Sequence, residues 1–518
     1  MKILLLRPPF RYLPGAAKPS IGFPVGLLQI ASVLEKNHFS VELLDAQMNV
    51  RSPFLVDADG NGHMGLPWDA LSRTIEERKP DIVGITCPFT TQIGNAIKTA
   101  EIARKAAPET VTVVGGNHPT ARPEDFFRKT AAVDLVCIAE GEYTMRDIAE
   151  AVRRGNRATG IPGTAERDGD GGRSNPPRDH IGNLDELPLP AYHLVDMEAY
   201  FHLYKHGFND RPIGHGKDSE RDVSVITSRG CPFDCVFCSI HLHLGRKWRA
   251  HSVEYVRMHI EYLISKYGIR HIHFEDDNIS ANVKRFKGLL EAFQNLGNVF
   301  SWDTPNGVRV DTLSKEILRD CKRSGCVYLV FGVESGNQSV LDRIVGKKLD
   351  LDTVTKAAAW CREISLDAMS FFVIGFPGET RRDMKDTVDF ALRLQREYDV
   401  NPGLFVATPL PGTRLERICI EKGLLESEPS PDILAKITQG AVILDGDTFS
   451  AEDVREMRDK FLKGYRRNVV TNLAAFLSRN PGTLPAFTRE VLSGRRYGPL
   501  RDALLSAYLI KNSIAKRP

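Results

Sequence analysis

Short apolar runs rich in β-branched residues alternate with helical patterns along most of the chain, and this alternation restricts the possible folds most strongly. In residues 1–153 we predict strands at 2–6, 40–44, 81–86, 111–115 and 134–138. The helical patterns between these strands cover residues 26–36, 68–79, 91–106 and 144–153. This order predicts a parallel sheet covered by helices on both faces, which is a Rossmann-like, doubly wound α/β domain. Ligands of such sheets bind beyond the carboxyl ends of the strands.

A second series of strands and helices follows a change in composition. Residues 154–221 are rich in Gly and Pro turns and are predicted to form a linker. Within residues 222–420 we predict six further strands, at 223–227, 271–275, 302–310, 327–333, 368–374 and 404–408. Because a complete barrel needs eight such units, six predict a partial (β/α)6 barrel. Residues 421–518 are predicted to form a helical C-terminal region.

Length and charge exclude several classes of protein. A chain of 518 residues is too long for one compact core, which agrees with several domains. The formal net charge is only +3, so there is no electrostatic case for nucleic acid as the main partner. No stretch approaches the ~18 apolar residues of a membrane-spanning helix. Pro8 and Pro9 end the apolar start of the chain too early for a signal peptide. We therefore expect a cytoplasmic protein.

Three of the nine cysteines form a compact group. Cys231, Cys235 and Cys238 are spaced C-x3-C-x2-C, whereas the other six are scattered and unsuited to a disulfide framework. Thiolates are the usual ligands of iron–sulfur clusters, and three thiolates on a four-iron cluster leave one iron open to substrate. The group also follows directly after a predicted barrel strand, and the active sites of barrels lie at that end of the strands.

A structural zinc site is the alternative interpretation of this loop. The three cysteines together with His241 or His243 provide four possible zinc ligands. Three features favour iron: the loop follows a barrel strand, no second ligand pair lies at the distance typical of a zinc finger, and glycine-rich loops recur after later strands. The sequence alone leaves both metals open.

The cysteine loop resembles that of the radical S-adenosylmethionine (SAM) superfamily, whose hallmark is CxxxCxxC with an aromatic residue before the third cysteine, here Phe237. Five later segments resemble the successive strand motifs of that family and occur in the same order. They are residues 274–278, 307–311, 332–336, 374–380 and 408–413. A single glycine motif is weak evidence for the family, because turns need glycine in any fold. Five such motifs in the order of the family are specific evidence. The resemblance implies a [4Fe–4S] cluster on the three cysteines and SAM as a second cofactor.

The same resemblance assigns a set of residues to SAM. They are Phe237, Glu275, Asp276, Asp277, Arg309, Glu334, Ser335 and Gly375. By residue type, the three consecutive carboxylates suit a cationic ammonium group, and Arg309 suits a carboxylate that it binds in bidentate fashion. Glu334 and Ser335 suit the ribose hydroxyls. For each carboxylate, a solvated position at the barrel rim is the alternative.

The first domain resembles the cobalamin-binding domain that precedes the barrel in one large branch of the superfamily. Arg7-Pro8-Pro9, the helix start at Pro24 and the loop from Gly115 carry this resemblance. The residues expected at cobalamin are Pro24, Gly26, Thr86, Gly115, Gly116, His118, Glu140 and Gly141. Glycine loops at helix starts let backbone N–H groups approach a corrin amide or a nucleotide tail. The chain has no D-x-H-x-x-G stretch, so we expect no cobalt ligand from that motif.

With both cofactors, the resemblance implies methyl transfer to an unactivated carbon of a small-molecule, lipid or natural-product substrate. An electron from the cluster cleaves SAM, the 5′-deoxyadenosyl radical removes hydrogen from the substrate, and methylcobalamin delivers the methyl group. Oxidative cyclisation or ring rearrangement without methyl transfer, as in the anaerobic cyclase of chlorophyll synthesis, is the second hypothesis. A zinc-stabilised binding protein without catalysis is the third.

Two kinds of partner follow. A radical SAM enzyme needs an electron donor such as flavodoxin or ferredoxin. The C-terminal region is basic, and residues 461–518 contain only Glu490 and Asp502 as acidic residues. We interpret it as a solvated helical surface or as a peripheral membrane contact in which Leu473, Phe476 and Leu477 lie beside arginines.

Overall fold

The computed structural model describes residues 1–12, 21–48, 54–56, 60–156, 158–169, 171–205, 221–425 and 445–479. The chain forms two compact units. Unit 1 comprises Met1–Arg211, Glu220–Phe300 and Thr408–Ala441. Unit 2 comprises Pro212–Ser219, Ser301–Ala407 and Val442–Pro518. Unit 1 therefore contains the predicted cobalamin domain together with the cysteine loop.

Unit 1 is built on a seven-stranded sheet with the order β10-β9-β8-β7-β6-β1-β3. Its strands are β1 (Lys2–Arg7), β3 (Ser40–Asp45), β6 (Ile82–Thr86), β7 (Val111–Gly115), β8 (Leu135–Cys137), β9 (Thr164–Asp168) and β10 (Gly171–Ser174). Its main helices are α1 (Val25–Lys36), α2 (Trp68–Arg78), α3 (Ile93–Ala106), α4 (Asn117–Ala121), α5 (Glu124–Lys129) and α6 (Gly141–Arg153). The five strands from β1 to β8 in this sheet pair in parallel. The doubly wound prediction is confirmed, because buried Leu4, Val83 and Val114 pack on one face and Leu5, Ile82 and Val113 on the other.

The region predicted as a linker contains regular structure. Strands β9 and β10 form a hairpin, and β9 pairs antiparallel with β8, which extends the first sheet. Helix α7 (Met197–Lys205) follows and buries Tyr200, whose hydroxyl donates to Asp45 at 2.5 Å. The Gly-rich composition here marks turns such as Gly169, with φ +59°, rather than an extended connection. The domain limits 1–153, 154–221, 222–420 and 421–518 stay predictions.

A small three-stranded antiparallel sheet and a two-stranded ribbon accompany the first sheet. The former consists of β2 (Phe10–Tyr12), β4 (Phe54–Val56) and β5 (Gly62–Met64). The ribbon consists of β12 (Ser228–Arg229) and β13 (Arg249–Ala250). It encloses the cysteine loop, because the two strands flank residues 230–248.

The second series of strands also follows the predicted order. Unit 1 contains β11 (Asp222–Val225) and β14 (His271–Phe274), which pair in parallel, with α8 (Ile240–His243), α9 (Val253–Tyr267) and α10 (Val283–Asn295). Unit 2 contains β15 (Ser301–Val308), β16 (Cys326–Glu334), β17 (Asp367–Ile374) and β18 (Asn401–Val406), also paired in parallel. Its helices include α11 (Lys315–Arg323), α12 (Gln338–Val340), α13 (Leu351–Ile364) and α14 (Arg381–Tyr398). Helix α15 (Arg414–Glu421) belongs to unit 1.

The described part of the C-terminal region is one long helix, α16 (Ala451–Arg479). It packs against α14, where Asn468 Nδ2 donates to Leu392 O at 2.9 Å. Arg466 and Arg467 lie on its exposed side. The predicted apolar face at Leu473, Phe476 and Leu477, and all residues after 479, lie outside the side chains that the structure describes. Among the described helices, none combines the length and apolarity needed to cross a membrane.

Candidate active site and cofactor pocket

The cysteine loop follows β11, with the short strand β12 between them. All nine cysteines lie in the described ranges and none forms a disulfide; Cys231, Cys235 and Cys238 are partly exposed, whereas the other six are buried. Cys238 N donates to Cys235 O at 3.1 Å, which makes a tight turn between these two residues. This group therefore differs from the other six cysteines in keeping its residues partly exposed.

The three thiols spread more widely than a single metal ion requires. Among the described residues, no three ligand atoms drawn from these cysteines, His241 and His243 all lie within 4.8 Å of one another. A tetrahedral zinc ion binds sulfur at ~2.3 Å, so its ligand atoms lie about 4 Å apart. A cluster of four irons spans a larger distance. Among the described residues, the loop therefore does not hold its thiols preassembled for one metal ion.

A glycine and a carboxylate fix the start of the loop. Gly230 has φ +83°, and a Cβ atom there would lie 2.8 Å from Lys247 O, so only glycine fits. Gly230 N donates to Asp277 Oδ2 at 2.9 Å. Burial raises the pKa of Asp277 to about 6. Asp277 thus anchors the residue immediately before Cys231.

The other two predicted carboxylates also contact the loop or the strand before it. Asp276 is buried and accepts hydrogen bonds from Thr227 and Ser228, so its oxygens are occupied by protein donors. Glu275 Oε1 accepts from Ser224 Oγ at 2.6 Å and keeps part of its surface exposed. Asp276 therefore holds the backbone in place, whereas Glu275 and Asp277 are the more accessible of the three carboxylates.

The remaining residues assigned to SAM, apart from Phe237, lie in unit 2. Arg309 forms a bidentate pair with Asp311, at 2.9 and 2.6 Å, and also donates to Lys347 O. Lys347 Nζ in turn donates to Glu334 Oε1 at 2.8 Å.

The last two unit 2 residues are also hydrogen-bonded within the chain. Ser335 is fully buried and shares a 2.9 Å hydrogen bond with Thr387 Oγ1. Gly375 has φ +87°, and its N–H donates to Glu379 Oε2 at 2.7 Å. Sequence reasoning missed the partners of Glu334 and Ser335, because they lie 13 and 52 residues away along the chain.

A cavity of about 270 Å³ lies beyond the carboxyl ends of the first sheet in unit 1. Six of the eight residues expected at cobalamin line it: Gly26, Thr86, Gly115, Gly116, Glu140 and Gly141. Ile226, Arg229 and Leu244, which flank the cysteine loop, also line it. The cavity therefore borders both the Rossmann-like sheet and the predicted cluster loop.

Two glycines give the cavity its shape. Gly116 has φ +124°, and a Cβ atom there would lie 2.6 Å from Cys87 O. A Cβ atom at Gly141 would lie 2.9 Å from Ile30 Cδ1. The backbone can thus approach a ligand closely, which fits the nucleotide arm or an amide of a corrin. The residues present fit cobalamin at this position.

Pro24 and His118 are the two expected cobalamin residues that do not line this cavity. His118 is buried, and its Nδ1 and Nε2 lie 3.1 Å from Thr90 Oγ1 and 3.2 Å from Asp125 Oδ2. His63 Nε2 lies 2.7 Å from Leu66 O. Both nitrogens of His118 are therefore engaged by protein groups, in agreement with the absence of a D-x-H-x-x-G motif.

The fold and the cysteine loop together define a radical SAM enzyme with a cobalamin-type domain before its barrel. A sequence model of the Radical SAM superfamily matches residues 225–391, and one of the B12 binding domain matches residues 15–149. The chain belongs to the radical SAM superfamily, in the branch that carries a B12 binding domain. The predicted [4Fe–4S] cluster, SAM and cobalamin are confirmed as the cofactors of this family.

Two relatives share most of their length with this chain. One is an uncharacterized methyltransferase, PH0819, of Pyrococcus horikoshii, 33% identical over 425 residues, or 82% of this chain and 84% of the relative. The other is the cytidylyl-2-hydroxyethylphosphonate methyltransferase of Streptomyces wedmorensis, 30% identical over 90% of both chains. Both are named as methyltransferases, in agreement with the predicted reaction class.

Solved structures have the same fold. The cobalamin-dependent SAM radical enzyme OxsB, with aqua-cobalamin and SAM bound, has a TM-score of 0.68 and 17% identity, and the match covers 99% of this chain and 71% of OxsB. The radical SAM methyltransferase TsrM from Kitasatospora setae has a TM-score of 0.63 and 19% identity, with 83% and 76% covered. The predicted architecture, a Rossmann-like domain followed by a partial barrel, is confirmed.

Proposed function

We propose that this protein is a cobalamin-dependent radical SAM methyltransferase that acts on an unactivated carbon of a small-molecule substrate. One observation carries the proposal: within one compact unit, the glycine-lined cavity that fits cobalamin is also lined by Ile226, Arg229 and Leu244, which flank the cysteine loop. Methyl transfer needs both cofactors close to one substrate carbon. A cavity bordered by residues of the cysteine loop meets this requirement.

The residue assignments form part of the same proposal. Cys231, Cys235 and Cys238 hold the [4Fe–4S] cluster, because they alone are partly exposed thiols. Gly26, Thr86, Gly115, Gly116, Glu140 and Gly141 form the cobalamin site, because they line the cavity. Phe237, Glu275 and Asp277 of unit 1 contact SAM, whereas Arg309, Glu334 and Gly375 stay predicted SAM residues. Asp276 and Ser335 have structural roles, since they form hydrogen bonds with Thr227 and Thr387.

The protein's task is to orient the cofactors and to exclude competing reactions. When bound, the cluster supplies an electron that cleaves SAM, and cobalamin supplies the methyl group. Asp277 anchors Gly230, the residue before the first cysteine, while Asp276 fixes Thr227 and Ser228, which follow β11. The partly exposed carboxylate of Glu275 is suited to the ammonium group of SAM.

Oxidative cyclisation without methyl transfer is a second candidate. The anaerobic magnesium-protoporphyrin IX monomethyl ester cyclase of Cereibacter sphaeroides is 25% identical over 355 residues, or 67% of this chain and 54% of the cyclase. Methyl transfer is favoured because the two relatives of higher identity are named as methyltransferases.

Isotope transfer separates the two candidates. The anaerobically reconstituted protein is incubated with reductant, cobalamin and SAM carrying a deuterated methyl group, together with candidate substrates. Cytidylyl-2-hydroxyethylphosphonate is the first candidate, because a relative acts on it. We expect 5′-deoxyadenosine and a product that carries the deuterated methyl group. A product that has lost hydrogen and carries no label would support the cyclase instead.

The electron donor and a membrane contact remain further parts of the proposal. We propose a flavodoxin or ferredoxin as the donor, because cleavage of SAM needs a low-potential electron. The basic C-terminal region is a candidate for contact with acidic lipid. Flotation of the protein with and without residues after Arg466 on vesicles containing anionic lipid tests this contact, and undiminished binding of the shortened chain would exclude the region.

A further inference from the structure

Four charged side chains form a buried group in unit 1, here called the four-charge cluster: Glu140, Glu142, Arg229 and Arg249. Arg229 donates to Glu140 Oε1 at 2.7 Å and to Glu142 Oε1 at 2.6 Å. Arg249 Nη1 donates to both oxygens of Glu140, at 3.0 and 2.9 Å. All four side chains are at most 13% exposed, so water screens them little.

Glu140 occupies the centre of this group. Arg229 and Arg249 stand directly opposite each other on the ribbon of β12 and β13, where two like charges would repel. Glu140 contacts both guanidinium groups and also accepts from Ile181 N at 2.8 Å. Burial opposes ionisation of Glu140, but the two arginines outweigh it and hold its pKa below the usual value. Glu140 is therefore the counterion that allows the two arginines to pair.

The four-charge cluster lies between the two proposed cofactor sites. Glu140, Glu142 and Arg229 line the cavity that fits cobalamin. Arg229 precedes Cys231 by two residues, and Gly230 between them is closely packed, because a Cβ atom there would lie 2.8 Å from Lys247 O and 2.9 Å from Leu244 O. The group carries two positive and two negative charges, so it is balanced as it stands.

We propose that Glu140 is a positioning residue that fixes the cysteine loop against the cobalamin cavity, and that the charge balance of the four-charge cluster tunes the reduction potential of the iron–sulfur cluster. This inference rests on the proposed function. Reduction adds a negative charge to an iron–sulfur cluster, and a nearby buried positive charge stabilises that state. Each unpaired arginine therefore raises the potential, and each unpaired glutamate lowers it.

An anaerobic redox titration of the reconstituted holoenzyme, followed by the EPR signal of the reduced cluster, tests this proposal. Glu140→Gln leaves an excess positive charge, and we expect a less negative potential than in the parent. Arg249→Gln leaves an excess negative charge, and we expect a more negative potential. The double variant restores balance and should return towards the parent value. Glu150→Gln, which removes a surface partner of Arg153 on α6, is the matched control and should leave the potential unchanged.

Two outcomes would overturn the inference: shifts of the same sign in both single variants, or no shift in either while iron and sulfide contents match the parent. If Glu140→Gln assembles no cluster, the positioning role is supported, and Glu142→Gln then tests the electrostatic role, because it leaves Glu140 between the arginines. An unshifted potential in Glu142→Gln would contradict that role. If the parent protein assembles no [4Fe–4S] cluster, the proposed function is overturned as well. If the parent assembles a cluster of normal iron and sulfide content but the variants leave its reduction potential unchanged, only the inference is overturned.

Discussion

The hydrogen bonds of His118 determine whether its imidazole is available as a ligand. Both of its ring nitrogens contact protein oxygens, on Thr90 and Asp125, and the side chain is buried. We therefore predict that His118→Asn leaves the EPR spectrum of protein-bound cob(II)alamin unchanged, because both ring nitrogens of His118 are already engaged by protein oxygens. Loss of a nitrogen superhyperfine splitting in the variant would contradict this assignment.

Glu379 is a second residue whose surroundings set its chemistry. Its side chain is fully buried, and burial raises its pKa from 4.5 to about 8, although the N–H groups of Gly375 and Phe376 oppose the shift. Because the folded state binds this proton more tightly than the unfolded chain, its contribution is complete below pH 4.5 and is lost as the pH rises through 8.

Glu379→Gln removes this titration. Between about pH 6 and pH 9, we predict that the melting temperature falls less in the variant than in the parent. The difference corresponds to a change in the free energy of unfolding on the order of 2 kcal/mol. Melting curves at both pH values measure it. Parallel pH dependence in the two proteins would contradict the raised pKa. Glu150→Gln again provides a control, since Glu150 is a partner in surface ion pairs.

The turn between β7 and α4 shapes the cavity at the level of secondary structure. Gly116→Ala combines a backbone conformation that favours glycine with a Cβ atom 2.6 Å from Cys87 O. We predict a loss of stability of about 3 kcal/mol and weaker cobalamin binding. Gly94→Ala in α3 is the matched control: nothing lies within 4 Å of its Cβ, and alanine should stabilise the helix by up to about 1 kcal/mol. Equal behaviour of the two variants in thermal unfolding and cobalamin titration would contradict the role of Gly116.

Strands and helices with a clear period were predictable from sequence. Strand β7 was predicted with its observed limits, and β1 and α1 within one residue, because apolar periodicity reports on burial directly. The hairpin of β9 and β10 was missed, because β10 (Gly171–Ser174) is short, polar and largely exposed and carries no apolar signal. Tertiary pairing with β8, rather than local preference, stabilises it.

The candidate site was predictable in part. Glycine loops and the cysteine spacing carry local signals, so six of the residues that line the cavity could be named in advance. The pairing of Glu140 with Arg229 and Arg249 could not, because these residues lie 89 and 109 positions apart and only folding brings them together. The hydrogen bond between His118 and Thr90 also joins residues that are distant in sequence, here 28 positions apart.

For the whole molecule, the central claim is that the three cysteines bind an iron–sulfur cluster and that the glycine-lined cavity binds cobalamin. The most direct test measures metal content by mass spectrometry after anaerobic purification and reconstitution. We predict about four irons and one cobalt per chain, with iron lost and cobalt retained when Cys231, Cys235 and Cys238 are replaced by alanine. About one zinc per chain, with neither iron nor sulfide, would contradict the account.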